Sequence, residues 1–163
     1  MPKANEHVIE LRFDGRPGEF FAWAELEVTA TGLPNEAPTR VRTCLQILVQ
    51  HFLDPLRRHL KRPIRINSGY RSDAVNRRVK GSKTSRHPLG EAVDIEVDGL
   101  DAHAILAAIE LADLSYDQVI AYAPSRGGHV HVQICAGAPS RHRKQRLWAP
   151  ASGGYEPYRQ EQA

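Results

Sequence analysis

Three or four residues in this sequence have the types and the spacing of a metal site. His87 and Asp94 are seven residues apart, with a Pro-Leu-Gly turn between them. Far along the chain, the run GGHVHVQI adds His129 and His131. A histidine and a carboxylate close in sequence, completed by a distant histidine on a strand, are typical of a three-ligand zinc site whose fourth position is open. The pattern therefore predicts a zinc centre suited to hydrolytic chemistry.

Strand alternation predicts how these side chains come together. In EAVDIEV, Val93 and Ile95 point to one face of the strand and Asp94 points to the other. In HVHVQI, the apolar residues share one face and the two histidines share the opposite face. If these strands are neighbours, Asp94 lies close to one of the two histidines, and His87 can complete the site from the preceding loop. Taken alone, the histidine pair could lie on the surface and Asp94 could serve in a salt bridge; the combination favours a metal.

The surrounding elements predict an α+β fold, with a mainly antiparallel sheet and helices packed on one face. Alternating patterns predict strands over residues 7–13, 63–70, 91–97, 116–123 and 129–134, the last two joined as a hairpin through PSRGG. Helical spacing begins at Thr39, Ser72 and Asp101, and Asp54-Pro55 predicts a kink or a restart, with the aspartate as a cap. We expect one domain over residues 1–163, with an irregular basic C-terminal tail from about residue 136.

Composition excludes few classes of function. The chain has 163 residues, 41% hydrophobic and 25% charged, and a net charge of +3, which are ordinary values for a globular domain. No run approaches the roughly 18 apolar residues of a membrane span. No secretory signal is visible, so we expect synthesis in the cytoplasm and delivery by another route. The two cysteines, Cys44 and Cys135, make neither a disulfide framework nor a zinc knuckle.

Two stretches also resemble a known family. The stretches SGYRS and GSKTSRHPLGEAVDI are similar to the Ser-x-His-x-x-Gly-x-Ala-x-Asp signature of zinc D-Ala-D-Ala carboxypeptidases and related murein peptidases. The signature positions are Ser85, His87, Gly90, Ala92 and Asp94. The run YDQVIAYAPSRGGHVHVQI resembles the final strand of the family, and the likeness extends from about residue 20 to about residue 135. The chain most resembles the small, often phage-encoded members of the family, and this resemblance implies a hedgehog/DD-peptidase-like fold.

The resemblance implies a role for each matching residue. Zinc would be bound by His87, Asp94 and His131, since the second histidine of the pair is the family's ligand. Arg71 would bind the carboxylate of the substrate, as the planar fork of a guanidinium allows; a buried salt bridge is the alternative. Ser85 would lie near the substrate or would cap the loop.

One expected residue is missing. The family usually carries a Glu or Asp shortly before the last ligand as the general base, but the window AYAPSRGGHVH contains no carboxylate and has Gly128 three residues before His131. His129 is the best local substitute, because imidazole titrates near neutral pH. It could instead only donate a hydrogen bond to a ligand. Glu91 and Asp117 are weaker candidates.

The sequence thus predicts a zinc metallopeptidase, a monomer, that hydrolyses D-amino-acid-containing peptide bonds of peptidoglycan, as a D-Ala-D-Ala carboxypeptidase or a murein endopeptidase. The alternative is a non-catalytic zinc-containing module that binds the cell wall or forms part of a phage, which the missing carboxylate favours. We expect no membrane partner. A nucleic-acid partner is also not expected, because the basic run RHRKQR has no interleaved aromatic residues for stacking on bases.

Overall fold

The structure is a computed structural model that describes residues 15–159. The helices are α1 (Trp23–Leu26), α2 (Thr39–Leu48), α3 (Asp54–Leu60), α4 (Asp73–Arg78) and α5 (Ala102–Leu111). The strands are β1 (Arg65–Ser68), β2 (Ala92–Glu96), β3 (Gln118–Tyr122), β4 (Val130–Gln133), β5 (Gln145–Ala149) and β6 (Glu156–Pro157). The strand predicted over residues 7–13 lies outside the described residues. Within residues 15–159, no helix is both long and apolar enough to cross a membrane.

All six strands form one sheet in the order β1-β2-β4-β3-β5-β6. Every pairing is antiparallel except β3 with β5, which is parallel. The predicted α+β class, with a mainly antiparallel sheet, is therefore confirmed. The hairpin predicted through PSRGG is also present, as the pair β3 and β4. The β2 strand pairs directly with β4, which makes neighbours of the two strands that carry the candidate ligands.

The core lies on one face of this sheet. The inward side chains of β2 and β4 are Val93, Ile95, Val130 and Val132, and all four are fully buried. They belong to one hydrophobic cluster with the apolar stripes of α2, α3 and α5. Burial of these apolar surfaces is the main stabilising term of such a domain. The helices thus cover one face of the sheet and leave the other face for the site.

The helical run from Thr39 to Leu60 is interrupted where the sequence predicts it. A π-helical turn over Val49–Leu53 separates α2 from α3, directly before Asp54-Pro55. The prediction that Asp54 caps α3 is wrong, since its side chain makes no cap hydrogen bond. The buried carboxylate instead accepts hydrogen bonds from the backbone N–H groups of Glu19 and Phe20, at 2.7 and 3.3 Å, and so ties the preceding segment to the helix.

The prediction of an irregular tail from about residue 136 is wrong for the two stretches that form β5 and β6. The β5 strand adds to β3 in parallel, so its partner is more than twenty residues away in sequence. Its two faces are both partly covered, with Trp148 packed against the core and Leu147 on the opposite face. An alternation of apolar and polar residues, the usual signal of a strand, is therefore weak here.

Candidate metal centre and active-site cleft

His87 is fixed in orientation by the loop that precedes β2. The turn His87–Leu89 ends at Gly90, whose φ of +72° lies in the left-handed region that favours glycine. The imidazole is buried, with 2% of its surface exposed, and its Nδ1–H donates a hydrogen bond to the carbonyl oxygen of Gly69 at 2.6 Å. A carbonyl can only accept, so the proton of the neutral ring is on Nδ1 and Nε2 carries a free lone pair. The ring therefore presents one nitrogen as a metal ligand.

The sheet register places Asp94 directly opposite His131. Asp94 Oδ1 lies 2.8 Å from His131 Nδ1, and Asp94 Oδ2 lies 3.4 Å from His87 Nε2. One candidate ligand atom from each of the three residues can be chosen so that all lie within 4.8 Å of one another. The strand alternation predicted for EAVDIEV and HVHVQI is thus confirmed, and it brings Asp94 and His131 together, with His87 beside them on the preceding turn.

The electrostatics of this group fit a divalent cation. Burial lowers the pKa of His87, so the ring is neutral at neutral pH. Burial raises the pKa of the Asp94 carboxyl, but the opposing effects, led by the hydrogen bond with His131, hold the pKa well below its usual range. The lone pair of His87 Nε2 thus faces a buried carboxylate oxygen, an arrangement of two acceptors that a shared cation stabilises. Two imidazoles and one carboxylate are a donor set that zinc prefers.

Arg71 lies at the edge of this group and contacts it directly. Its Nη2 donates to Asp94 Oδ2 at 2.6 Å, and its Nε donates to Ser68 Oγ at 2.7 Å. Arg71 therefore forms an ion pair with Asp94, which is the alternative role that the sequence allowed for it. The side chain is still 17% exposed and also lines the cleft described below.

Ser85 shows the same combination of roles. Its Oγ accepts a hydrogen bond from the backbone N–H of His87 at 3.3 Å, as a loop-capping hydroxyl does. The residue also lines the cleft. Ser85 therefore supports the His87 loop and also faces the cleft.

His129 lies on the cleft side of the sheet, beside β4. Its ring stacks on Tyr122, with ring centroids 4.3 Å apart and planes 18° apart, and burial lowers its pKa. Neither of the weaker candidates for a base lines the cleft. Glu91 pairs with Arg86 and accepts from the N–H of Ala136, and it does not line the cleft.

Asp117 does not line the cleft either, and it has a structural role. Its buried carboxylate accepts hydrogen bonds from Arg143 and from Gln133. The bond from Arg143 lowers the pKa of the Asp117 carboxyl to about 2. Among the described residues that line the cleft, Asp94 is the only carboxylate, so no lining Glu or Asp remains as a general base.

The candidate ligands line an open cleft of about 560 Å³ on the face of the sheet opposite the core. Sequence reasoning missed several of its residues: Ile120, Leu147 and Tyr155 were assigned no role. The alternation of YDQVIAYA does place Ile120 on the face opposite Val119 and Ala121, so a signal for Ile120 existed. No such signal existed for Tyr155, which reaches the cleft from the segment predicted to be irregular.

Comparison with known families agrees with this geometry. A family model described as Peptidase M15 matches residues 21–133, which is more than half of the chain. The chain belongs to the peptidase M15 family. No curated protein matches the sequence at a significant level. Peptidases of this family are zinc-dependent, and His87, Asp94 and His131 form the group that could bind the metal. Leu147 and Tyr155 lie beyond the matched region.

Proposed function

We propose that this protein is a zinc metallopeptidase that hydrolyses D-amino-acid-containing peptide bonds of peptidoglycan, as a D-Ala-D-Ala carboxypeptidase or a murein endopeptidase. The observation that carries the proposal is the group formed by His87, Asp94 and His131. His87 and Asp94 are buried, and all three residues line the cleft. Membership in the M15 family supports it at the level of a zinc-dependent peptidase. The choice of peptidoglycan as substrate rests on the signature SGYRS and GSKTSRHPLGEAVDI.

Each polar group of the site has a task in this proposal. When bound, zinc supplies Lewis acidity that polarises a carbonyl group and activates water. His87 would bind it through Nε2, because the hydrogen bond to Gly69 occupies Nδ1. Arg71 would hold the free carboxylate of the peptide, since a guanidinium offers five donors in a planar fork. Ser85 would contact the substrate beside it, from the loop that supports His87.

His129 is our candidate for proton transfer. It lines the cleft on the same side as His131, and the stacking on Tyr122 holds its ring in place. A positioned acid or base contributes typically about 10²- to 10⁴-fold to the rate. Replacement of His129 by alanine should therefore lower kcat by about that factor without releasing the metal.

A second candidate function is a cell-wall binding or phage structural module that holds zinc but does not turn over. One observation favours it: apart from Asp94, no described residue that lines the cleft carries a carboxylate. The usual M15 arrangement, with a Glu or Asp as base, is thus absent from the described part of the cleft. In this second proposal His129 only supports the metal site, and the cleft binds murein peptides without cleaving them.

The test is incubation of the zinc-loaded protein with isolated murein and with muropeptides. Released D-Ala indicates a carboxypeptidase, and cleaved cross-links indicate an endopeptidase. The controls are His87→Ala, which removes a candidate ligand, and His59→Ala, which changes an exposed histidine on α3. We expect product from the wild type and from His59→Ala only. Murein binding with no product from the zinc-loaded wild type would overturn the enzymatic proposal and favour the binding module.

A further inference from the structure

The floor of the cleft continues beyond the metal group as an apolar row. Across the sheet, Asp94 is paired with His131, His131 with Ile120, and Ile120 with Leu147. Residues that pair across neighbouring strands point to the same face, so all four side chains face the cleft. Ile120 is nearly buried but does not belong to the core cluster, and Leu147 is partly exposed. The row therefore changes from ligands on β2 and β4 to aliphatic side chains on β3 and β5.

One side of this row is an aromatic wall. The rings of Tyr122 and Tyr155 meet edge to face at 6.3 Å, and their hydroxyl groups are 3.2 Å apart. The Arg126 guanidinium lies over both rings, at 5.3 and 5.4 Å from their centroids, and donates to the carbonyl oxygen of Gly154 at 2.8 Å. The turn that carries Tyr155 is thus anchored from the hairpin β3–β4, while 55% of the Tyr155 surface is exposed.

The other side of the row carries amide groups. Gln118 and Gln133 are paired in the β3–β4 register, and Gln118 is paired with Gln145 in the β3–β5 register. Gln118 Nε2 donates to Gln145 Oε1 at 2.6 Å, and both Gln118 and Gln133 line the cleft. Amides beside an aliphatic floor can bind the backbone of a peptide whose side chain rests on the floor.

The spacing of the strands relates this row to a peptide. Neighbouring strands are about 4.8 Å apart, so Ile120 lies about 5 Å and Leu147 about 10 Å from the strand of His131. An extended peptide advances about 3.4 Å per residue. Leu147 is therefore reached by about the third residue from the metal group. Arg71, the candidate anchor for the substrate carboxylate, lies on the opposite side of the group, beside Asp94 and β1.

We propose that Ile120, Leu147 and Tyr155 form a subsite for the acyl side of the substrate peptide, which takes an aliphatic side chain about three residues before the scissile bond. This inference rests on the proposed function, because Arg71 sets the direction of the peptide. Two of the three residues lie beyond residues 21–133, the region that the family model matches. The C-terminal segment is thus the part of this chain that selects substrates by their length and by their aliphatic character.

The test compares two peptides that end in D-Ala-D-Ala. N-acetyl-D-Ala-D-Ala has one residue before the scissile bond and does not reach Leu147, whereas the pentapeptide N-acetyl-L-Ala-L-Leu-L-Lys-D-Ala-D-Ala has four, with leucine as the third residue before that bond. Dissociation constants are measured by calorimetry on the full chain stripped of metal with a chelator, so that no cleavage occurs. The rates of hydrolysis are then measured on the zinc-loaded protein. The variants are Tyr155→Ala, Leu147→Ala and Tyr155→Phe, with Leu111→Ala, on exposed α5 surface, as the matched control.

We expect the wild type to bind the pentapeptide at least about tenfold more tightly than the dipeptide. Tyr155→Ala and Leu147→Ala should each weaken the binding of the pentapeptide by about tenfold and leave the binding of the dipeptide unchanged. Tyr155→Phe keeps the ring and should bind as the wild type does, as should Leu111→Ala. Equal affinities for the two peptides, or variants that weaken both peptides alike, would overturn the subsite. A binding preference without hydrolysis would refute the proposed enzyme but keep the subsite. Hydrolysis without the binding preference would support the proposed enzyme and overturn the subsite.

Discussion

Replacement of Asp117 by asparagine should weaken the attachment of the C-terminal segment to the sheet. The Asp117 carboxylate is 3% exposed and accepts hydrogen bonds from the backbone N–H, Nε and Nη2 of Arg143, at 3.2, 2.8 and 2.7 Å. Arg143 stands two residues before β5, the strand that carries Leu147. The charge of Asp117 therefore stabilises the position at which the segment joins the sheet. Asparagine keeps the shape of the side chain but loses the charge.

The magnitude follows from the pKa of Asp117. The hydrogen bonds from Arg143 lower that pKa from 3.8 to about 2, and one unit of pKa is worth about 1.4 kcal/mol. The ionised carboxylate thus contributes about 2 kcal/mol to the free energy of unfolding. Since the pKa is lower in the folded protein than in the unfolded chain, this contribution is complete above about pH 5. It declines as the pH falls from about 4 to about 2.

Urea unfolding of the wild type and of Asp117→Asn, at a series of pH values, measures this contribution. At pH 7 we expect the variant to be less stable by about 2 kcal/mol, and near pH 2 we expect the two curves to coincide. The matched control is Asp113→Asn. The side chain of Asp113 is 93% exposed, and its ion pair with Lys144, at 3.5 Å, lies on the surface, where such pairs contribute little to stability. A difference at pH 7 that persists unchanged to pH 2 would refute the electrostatic reasoning.

Three further predictions concern the site and its support. Gly90→Ala should destabilise the protein by more than about 2 kcal/mol in urea unfolding, since φ is +72° and a Cβ would lie 2.7 Å from the carbonyl oxygen of Val41. The control Gly32→Ala, with the same φ but open space around the Cβ, should cost only about 1 kcal/mol. Equal losses of stability in the two variants would contradict this prediction. Arg71→Lys should raise KM for peptides with a free carboxylate by about tenfold, with zinc content unchanged, because lysine lacks the planar fork; an unchanged KM would leave Arg71 only its ion pair with Asp94. Zinc at 100 times its Kd should stabilise the wild type by about 2.7 kcal/mol in thermal unfolding and His87→Ala hardly at all; an equal gain in both would contradict the ligand assignment.

The strands of the site could be predicted from the sequence because their alternation is regular. In EAVDIEV and HVHVQI, apolar residues occupy one face, since that face meets the core, and polar residues occupy the other. Period-two alternation fixes which side chains share a face, so Asp94 and His131 could be placed together once the strands were taken as neighbours. His87 could be added because the turn before β2 is short. None of this depended on long-range information beyond one strand pairing.

The parts that could not be predicted depend on contacts between distant residues. The β5 strand exists because it pairs with β3 and because Asp117 binds Arg143, 26 residues away in sequence. Each face of β5 carries both a polar and an apolar residue, so no local pattern predicts it. The position of Tyr155 follows from Arg126, which binds the turn before β6. The ion pair of Arg71 with Asp94, and the engagement of Glu91 elsewhere, also required the fold.

Metal analysis of purified variants tests the central claim, the assignment of the ligands, most directly. After dialysis against limiting zinc, we expect about one zinc ion per chain in the wild type and in His129→Ala. We expect almost none in His87→Ala, Asp94→Asn and His131→Ala. Zinc retained in His131→Ala and lost in His129→Ala would move the third ligand to the other histidine of the pair. Zinc retained in His87→Ala and Asp94→Asn would contradict the site itself.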